Sequence, residues 1–397
     1  MSPTSNGMAS IGVAVIGAGM AGRAHLAGYR AATAIRGAGL PEVRYVAVGD
    51  VNAGVAKESA DRFGYQRAES SWQAIAEAPD IDVVSVVVAN TLHREIVEGL
   101  LAAGKHVLCE KPLAPSVEDA EAMVAAARAS GRQAATGFTF RRSPAINAIR
   151  AQLGSGAIGR PLHLDGHYWC DYGCDPLGPM SWRYKGGPGS GALADIGAHL
   201  VDLAEFLCGP IESVSGAVLA TYITERHLPV GAVVGHALAE VSEETEPVEN
   251  EDLVSFTARY ASGATATLSA SRTAFGHPNG LGFQVFAERG SATFDLARAS
   301  EFGFVDGSAP LATHGYRQVL VGPEHPYITG GLPMDFPGVG HGQNDLFAFQ
   351  ARAFLGQVAG VDDLPPCPTF EDGLRNLRLL GAVVTSAQSG GAAVAID

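Results

Sequence analysis

Val13-Ala-Val-Ile-Gly17-Ala-Gly19-Met-Ala-Gly22 decides the reading of the N-terminal half. An apolar run ends in Gly-x-Gly-x-x-Gly, and a helical pattern opens from about Met20. Gly17 would permit the tight turn, Gly19 would let the backbone approach a pyrophosphate, and Gly22 would let helix and strand pack closely. Met20 and Ala21 would begin a helix whose free N–H groups and positive dipole end face the phosphates. The three glycines alone are weak evidence; the strand before and the helix after them supply the context.

On either side of this turn, apolar runs alternate with helical segments from 11 to 137. Val43–Gly49 reads as a second strand. Val83–Val88 is nearly all valine, as expected for a strand buried on both faces of a parallel sheet. His106–Cys109 is a fourth run. Ser116 then opens an Ala-rich helix reaching about Ser130, and 133–138 offers one more strand. The pattern predicts βαβ units in a doubly wound parallel sheet, an α/β domain over 1–137 with residues 1–10 as a disordered lead-in.

After Phe138 the rhythm changes. The sequence predicts helices over 143–153, 195–207, 344–354 and 372–387, and a strand at 161–169. Between 171 and 191 it predicts a loop rich in Gly and Pro. From Glu212 to Asp295, strand-like segments such as 253–260, 265–271 and 282–287 follow one another between turn signals, the pattern of an antiparallel sheet. The acidic stretch 243–252 reads as a solvated loop. The expectation for 138–397 is an α+β domain with a large, mainly antiparallel sheet and flanking helices.

The balance of 27 basic against 41 acidic residues, a net charge of −14, argues against nucleic acid or an anionic membrane as partner. A 47% apolar and 17% charged composition excludes wholesale disorder. No apolar window is long enough to span a membrane, and the first residues lack a signal-peptide pattern, so a cytoplasmic protein is expected. Five cysteines suit reduced thiols. Cys170 and Cys174 lie near His167, but no second cluster completes four ligands, so no metal is expected.

Asp50 ends the second apolar run, where a carboxylate would accept hydrogen bonds from the adenosine ribose hydroxyls. It lies 50 − 22 = 28 residues beyond Gly22, against about 20 in the usual fingerprint. The segment 31–41 would hold the excess. A carboxylate there would repel a 2′-phosphate, and Val51 and Asn52 supply no basic side chain, so NAD is expected over NADP. The duller alternative makes Asp50 a loop or cap residue.

Several motifs, in this order and spacing, resemble the glucose–fructose oxidoreductase and inositol dehydrogenase family (Gfo/Idh/MocA). They are the glycine turn, Ala89-Asn90-Thr-Leu-His93, Glu110-Lys111-Pro112, Ser181-Trp182-Arg183, and Gly189-Ser-Gly-Ala-Leu-Ala-Asp195-Ile-Gly-Ala-His199. The resemblance implies a Rossmann domain, then a sheet domain that serves as a subunit contact in dimers or tetramers, with the site between the domains. It implies an NAD-dependent dehydrogenase of a sugar or polyol, with Lys111, Asp195 and His199 as the catalytic trio.

Elementary chemistry agrees with those three. Oxidising a secondary alcohol needs a hydride acceptor and a base for the hydroxyl proton. Imidazole ordinarily titrates near neutrality, which makes His199 the natural base. Lys111 would stabilise alkoxide character on the same oxygen. Asp195, four residues before His199, would share its helix face and orient a second hydroxyl or the base itself. Alternatively, Lys111 is a solvated loop lysine, Asp195 a helix cap and His199 a core histidine.

The resemblance also places Ala89, Asn90, His93 and Glu110 at the nicotinamide and its ribose. It aims Arg183 at cofactor or substrate, and Arg141, Tyr168 and Asp171 at the substrate. Thr139 stands where the family often carries Asn. His167-Tyr-Trp-Cys-Asp171-Tyr-Gly-Cys-Asp175 reads as a sugar-stacking, hydroxyl-binding loop. The run from Phe138 to Trp182, with Gly322-Pro-Glu-His-Pro326, is most similar to levoglucosan dehydrogenases and related sugar 3-dehydrogenases within the family.

Three rivals remain open on sequence alone. The first is a reductase of a keto-sugar, free or nucleotide-linked, for which Arg141 and Arg142 are the nearest basic pair. A non-catalytic NAD-dependent sensor or scaffold is the second, and a zinc alcohol dehydrogenase, disfavoured by the absent ligands, is the third.

Overall fold

The computed structural model describes residues 9–35, 39–231, 239–325, 327–328, 332, 334–361 and 364–396. The chain divides into two compact units. One comprises residues up to Pro144 together with Gly322–Leu377, and the other comprises Ala145–Val321 and Arg378–Asp397. The first crossing between the units falls at Pro144–Ala145, where the sequence expectation lay near 138. The structure adds a return of 322–377 to the first unit, which long-range packing produces and local composition does not mark.

In the first unit the elements run β1 (Ser10–Ile16), α1 (Met20–Ala32), β2 (Glu42–Gly49), α2 (Ala53–Phe63), β3 (Arg67–Glu69), α3 (Trp72–Glu77), β4 (Val83–Val86), α4 (His93–Ala102), β5 (His106–Cys109), α5 (Val117–Ser130) and β6 (Ala134–Thr136). The six strands are all parallel and lie in the order β3-β2-β1-β4-β5-β6. That is the doubly wound Rossmann order, whose strand order reverses between β1 and β4. All four residues of β4 are buried, and each such valine is worth about 1.5–3 kcal/mol of transfer free energy. Side-chain caps start α2 at Asn52, α3 at Ser71 and α5 at Ser116, each satisfying an otherwise orphaned N–H.

The second unit begins with α6 (Pro144–Gly154) and β7 (Pro161–Trp169). A π-helical turn, Leu193–Gly197, runs into α7 (Ala198–Cys208). Then come β8 (Ile211–Ala220), β9 (Glu225–Pro229), β10 (Val241–Pro247), β11 (Leu253–Tyr260), β12 (Thr265–Ser271), β13 (Gly280–Ala287), β14 (Gly290–Asp295), β15 (Glu301–Asp306) and β16 (Arg317–Leu320). The chain closes with α8 (Gln343–Ala359) in the first unit, α9 (Phe370–Gln388), and β17 (Val394–Ala395). Nine strands form one sheet in the order β16-β15-β14-β13-β7-β12-β11-β8-β17, antiparallel throughout except for the β7–β12 pair.

Three local expectations are corrected. The stretch 243–252 is not a solvated loop: Val241–Pro247 pairs with β9, and Asn250, Glu251 and Asp252 are buried. The helix expected from Asp195 begins instead as the π-turn at Leu193, so Asp195 lies inside that turn and is not its N-cap, which is Ala192. Within the expected lead-in, residues 1–8 lie outside the described residues and Ser10 already belongs to β1. Among the described residues no helix is long and apolar enough to cross a membrane.

Candidate functional site

Loops at the carboxyl ends of the parallel strands gather the residues of the first unit. Gly17, with φ +95°, ends β1, and a Cβ there would meet the Val87 carbonyl oxygen at 2.0 Å. At Gly22 a Cβ would meet the Gly17 carbonyl oxygen at 1.9 Å, whereas at Gly19 it would meet nothing within 4 Å. Two of the glycines are demanded by packing, and the middle one keeps a backbone face open. Gly19 is also the N-cap of α1 and provides no side-chain cap. The first-turn N–H groups beside Met20 and Ala21 therefore face that open side. A dinucleotide pyrophosphate fits such a place.

The Asp50 carboxylate links this turn to the end of β2. Oδ2 accepts from the Ala18 N–H at 2.9 Å and Oδ1 from the Asn52 N–H at 2.9 Å. Each oxygen keeps a lone pair for a hydroxyl. Val51 beside it is 95% exposed.

Past β4, Ala89 is exposed and Asn90 half-buried at the start of a short 3₁₀ turn, Asn90–Leu92. His93 follows, but its ring is turned inward. Nδ1 lies 3.1 Å from the Leu113 carbonyl oxygen and Nε2 3.2 Å from that of Val88. Burial pushes its pKa down, opposed by these two carbonyls. Burial prevails, because a neutral ring still donates to one of them. His93, expected at the nicotinamide and its ribose, ties the Glu110–Leu113 loop to the end of β4 from beneath.

Glu110 and Lys111 end β5, and the Lys111–Pro112 peptide is cis. The Glu110 carboxylate is fixed on two sides. Oε1 is 2.9 Å from His25 Nε2, and Oε2 accepts from the Lys111 backbone N–H at 3.2 Å.

In the second unit, the chain 171–199 carries the site. Asn250 donates to the carbonyls of Arg183 and Lys185, both at 2.9 Å. Glu251 accepts from the Gly189 N–H at 2.7 Å and the Leu193 N–H at 2.9 Å. Burial raises the Glu251 pKa against the pull of these N–H groups. Asp252 pairs with Arg272 at 2.8 Å, both side chains almost wholly buried. Removing one partner of such a pair typically costs about 3–5 kcal/mol. The Arg226 and Arg272 guanidiniums lie over the Tyr184 ring at 4.0 and 4.5 Å. These anchors hold the glycine-rich loop against the sheet, and the Glu251 carboxylate sets where the helix starts.

Asp195 sits in the π-turn, a form often found at functional sites. Tyr172 donates to its Oδ2 at 2.6 Å. Burial, with the adjacent Asp195 charge, holds the Tyr172 pKa well above the ordinary phenol value, so Tyr172 stays a donor. His199 follows on α7, half-buried, with its ring centroid 6.3 Å from that of Tyr168. Tyr168 donates to Asn279 Oδ1 at 2.8 Å. Asp171 is half-buried, and its carbonyl accepts from the Cys174 N–H at 3.0 Å.

The structure thus gathers Gly17, Gly19, Gly22, Asp50, Asn90, Glu110 and Lys111 in the first unit, and Tyr168, Asp171, Asp195 and His199 in the second. The expected sugar-stacking run is split by strand alternation: Tyr168 faces α7, whereas His167 and Trp169 stack on each other at 3.8 Å on the opposite face. Arg183 stacks on Trp182 at 4.4 Å. Arg141, expected at the substrate, pairs with Asp372 at 3.2 Å. Arg142 is 2% exposed, donating to Tyr327 and to the carbonyls of Pro365 and Pro366. Thr139 is buried, its hydroxyl donating to the Gly137 carbonyl. Pro326 lies outside the described residues. Among the described residues no group of three His, Cys, Asp or Glu side chains is placed to hold a metal.

Sequence reasoning missed Tyr172, His25 and the Asn250–Asp252 tripeptide. His25 carried a local signal, four residues before Tyr29 on one face of α1, and Tyr172 lay in the polar aromatic run 167–175 without being singled out.

Comparison with known proteins agrees with this architecture. Residues 11–138 match the oxidoreductase family, NAD-binding Rossmann fold, and residues 146–293 match the GFO/IDH/MocA C-terminal domain. Levoglucosan dehydrogenase from Pseudarthrobacter phenanthrenivorans is 35% identical over 384 residues, covering 96% of this chain and 97% of that protein. A solved structure of levoglucosan dehydrogenase in complex with NADH and L-sorbose superposes with a TM-score of 0.89 at 33% identity, covering 98% of this chain and 100% of the other. The dTDP-3,4-didehydro-2,6-dideoxy-alpha-D-glucose 3-reductase of Streptomyces violaceoruber is 33% identical over 201 residues, 51% of this chain and 57% of that one. The parallel six-stranded sheet with its glycine turn, the nine-stranded mixed sheet, and a likeness that runs nearly end to end make this chain a member of the Gfo/Idh/MocA oxidoreductase family, with an NAD-binding Rossmann domain.

Proposed function

We propose that this protein oxidises a secondary hydroxyl of a sugar, anhydrosugar or cyclitol to the ketone, with NAD as oxidant and an anhydrosugar of the levoglucosan type, oxidised at its 3-position, as the leading substrate. The observation that carries this reading is the nearly full-length likeness to levoglucosan dehydrogenase in a chain that has Lys111, Asp195 and His199. The first stretch, 1–137, is assigned to the cofactor and 138–397 to substrate and subunit contact.

Bound NAD supplies the hydride acceptor. The protein's own groups do the rest. Gly17, Gly19, Gly22, Met20 and Ala21 present backbone to the pyrophosphate, and Asp50, with Val51 at its side, takes the adenosine ribose. Ala89, Asn90 and Glu110 border the nicotinamide end, and His93 holds the Glu110 loop from beneath. Arg183 serves cofactor or substrate. His199 takes the hydroxyl proton, Lys111 donates to the same oxygen as charge develops, and Asp195, held by Tyr172, orients a hydroxyl or the base. Tyr168 and Asp171 supply further substrate contacts.

A second reading, reduction of a keto-sugar, is favoured by the similarity to the dTDP-sugar 3-reductase. Its nucleotide-linked form is disfavoured because Arg141 and Arg142 are both engaged within the first unit. Association into dimers or tetramers through the nine-stranded sheet is supported by exposed Leu162, Val218 and Phe286 on its strands. Cysteines outside disulfides suit a cytoplasmic location.

The deciding experiment follows NADH absorbance with levoglucosan, inositols, aldoses and glycosides, and in reverse with the corresponding ketones. NAD reduction with levoglucosan well above the rest is expected. Turnover only of ketones, or none with any sugar, overturns the reading.

A further inference from the structure

The mechanism above leaves unused a buried polar chain in the first unit. Tyr29, Ser85 and His25 are 0%, 0% and 3% exposed. The Tyr29 hydroxyl is 2.9 Å from Ser85 Oγ, Ser85 Oγ is 3.2 Å from His25 Nδ1, and His25 Nε2 is 2.9 Å from Glu110 Oε1. Glu110 Oε2 in turn accepts from the Lys111 N–H.

One proton arrangement satisfies every member. Tyr29 donates to Ser85, Ser85 donates to Nδ1 of a neutral His25, and its Nε2–H donates to an ionised Glu110. Burial pushes the Tyr29 pKa far up, which keeps it the donor at the closed end. At the far end, a Cβ on Gly137 would lie 2.5 Å from Glu110 Oε1, so the carboxylate occupies the space that a side chain at 137 would take. The His25 ring is held edge-on by Phe347 at 5.3 Å. Burying this much polar surface to stabilise the unit alone would be poor economy, since apolar residues of like volume do as well. What the chain does add is a fixed direction for the carboxylate that holds the Lys111 backbone.

We infer that His25 is a positioning residue for Lys111, acting through Glu110, with Ser85 and Tyr29 locking its tautomer. The inference rests on the assignment of Lys111 to the reaction. A loose carboxylate would let the Lys111 amine wander from the reacting oxygen, and small misplacements cost rate more than binding.

The test pairs two substitutions that differ in reach. In His25→Gln the amide nitrogen reaches the place of Nε2 and can still donate to Glu110. In His25→Asn it reaches only the place of Nδ1, so Glu110 loses its partner. Both are compared with wild type and Lys111→Ala by kcat and KM, NADH binding by fluorescence, and melting temperature. His25→Asn should lose roughly 10- to 100-fold in kcat with KM for NAD nearly unchanged, the scale of one lost hydrogen bond to a charged group. His25→Gln should keep most of the rate. The double variant His25→Asn/Lys111→Ala should be no slower than Lys111→Ala alone, because both act on one group.

Equal losses in the Gln and Asn variants, multiplied losses in the double variant, or a wild-type rate in His25→Asn overturn the inference. If His25→Asn does not fold, the Gln variant and Ser85→Ala decide. A Ser85→Ala rate unchanged together with a crippled His25→Gln overturns it; a several-fold kcat loss in Ser85→Ala with His25→Gln active supports it. A wild-type rate in Lys111→Ala removes the assignment of Lys111 itself. A crippled Lys111→Ala beside an unaffected His25→Asn removes only the role of His25.

Discussion

Tyr172 donates its phenolic hydrogen to Asp195 across 2.6 Å, joining the loop after β7 to the π-turn before α7. That bond gives Asp195 a fixed heading that the helix alone does not. Tyr172→Phe should leave the melting temperature within a few degrees and lower turnover by about 10- to 100-fold, as for a lost bond to a charged acceptor. Asp195→Asn should be at least as slow. A Tyr172→Phe enzyme with the wild-type rate would show that the heading of Asp195 does not matter to the reaction.

The proposed function gives Lys111 and His199 different shares of the acid–base work, so their variants should differ in kind. Lys111→Ala should lower turnover ~10²-fold or more with NADH binding kept. In the wild type, oxidation should climb with pH as an imidazole loses its proton and then level off. His199→Ala should erase that limb along with most of the rate, and His199→Asn should bind substrate without recovering it. Persistence of the limb in His199→Ala would move the base elsewhere, with Lys111 the next candidate.

Asp50 ties Ala18 and Asn52, and the proposed function gives it a second task, at the adenosine ribose. NAD should be preferred to NADP in kcat/KM. Asp50→Ala should narrow that ratio and also raise KM for NAD, because the turn loses two acceptors. Asp50→Asn, which keeps one acceptor oxygen, should sit between. Faster wild-type turnover with NADP at matched concentrations would contradict the assignment.

Acid should weaken the first unit through His106. Burial, then the Arg132 charge, depress its pKa from 6.5 to about 4. Its Nδ1 accepts from the Gln133 N–H at 2.9 Å, which a protonated ring cannot do. Because the folded state binds the proton less readily, this stability is present above about pH 6.5 and is lost as pH falls through about 4. Burial shifts His93 in the same direction. The melting temperature should fall across that window. His106→Asn, whose Oδ1 can take the same N–H at any pH, should fall less steeply. Parallel curves for the two proteins would exclude His106 as a cause.

Much of the first unit could be read locally because its determinants are local. An apolar run, three glycines and a capping serine each specify their own few residues, and the start of α1 and the bounds of β5 and α5 follow from them. Asp50, Glu110 and Lys111 were legible for the same reason: each ends a strand. The candidate residues of the second unit were legible only as residue types. Asp195 and His199 stood out, yet their surroundings depend on Asn250, Glu251 and Asp252, which in sequence are merely an acidic stretch. Charge along a chain does not say whether a carboxylate meets water or a row of N–H groups from sixty residues away. His25, Ser85 and Glu110 are likewise three separate elements until the parallel sheet sets β4 and β5 beside α1. Local residue patterns were enough for the parallel-sheet class, the glycine turn and the chemistry at hand; strand order in the sheets, and which polar side chains are buried and paired, came from the folded chain, because a hydrogen-bond partner is chosen by proximity in space and the chain records only proximity along itself.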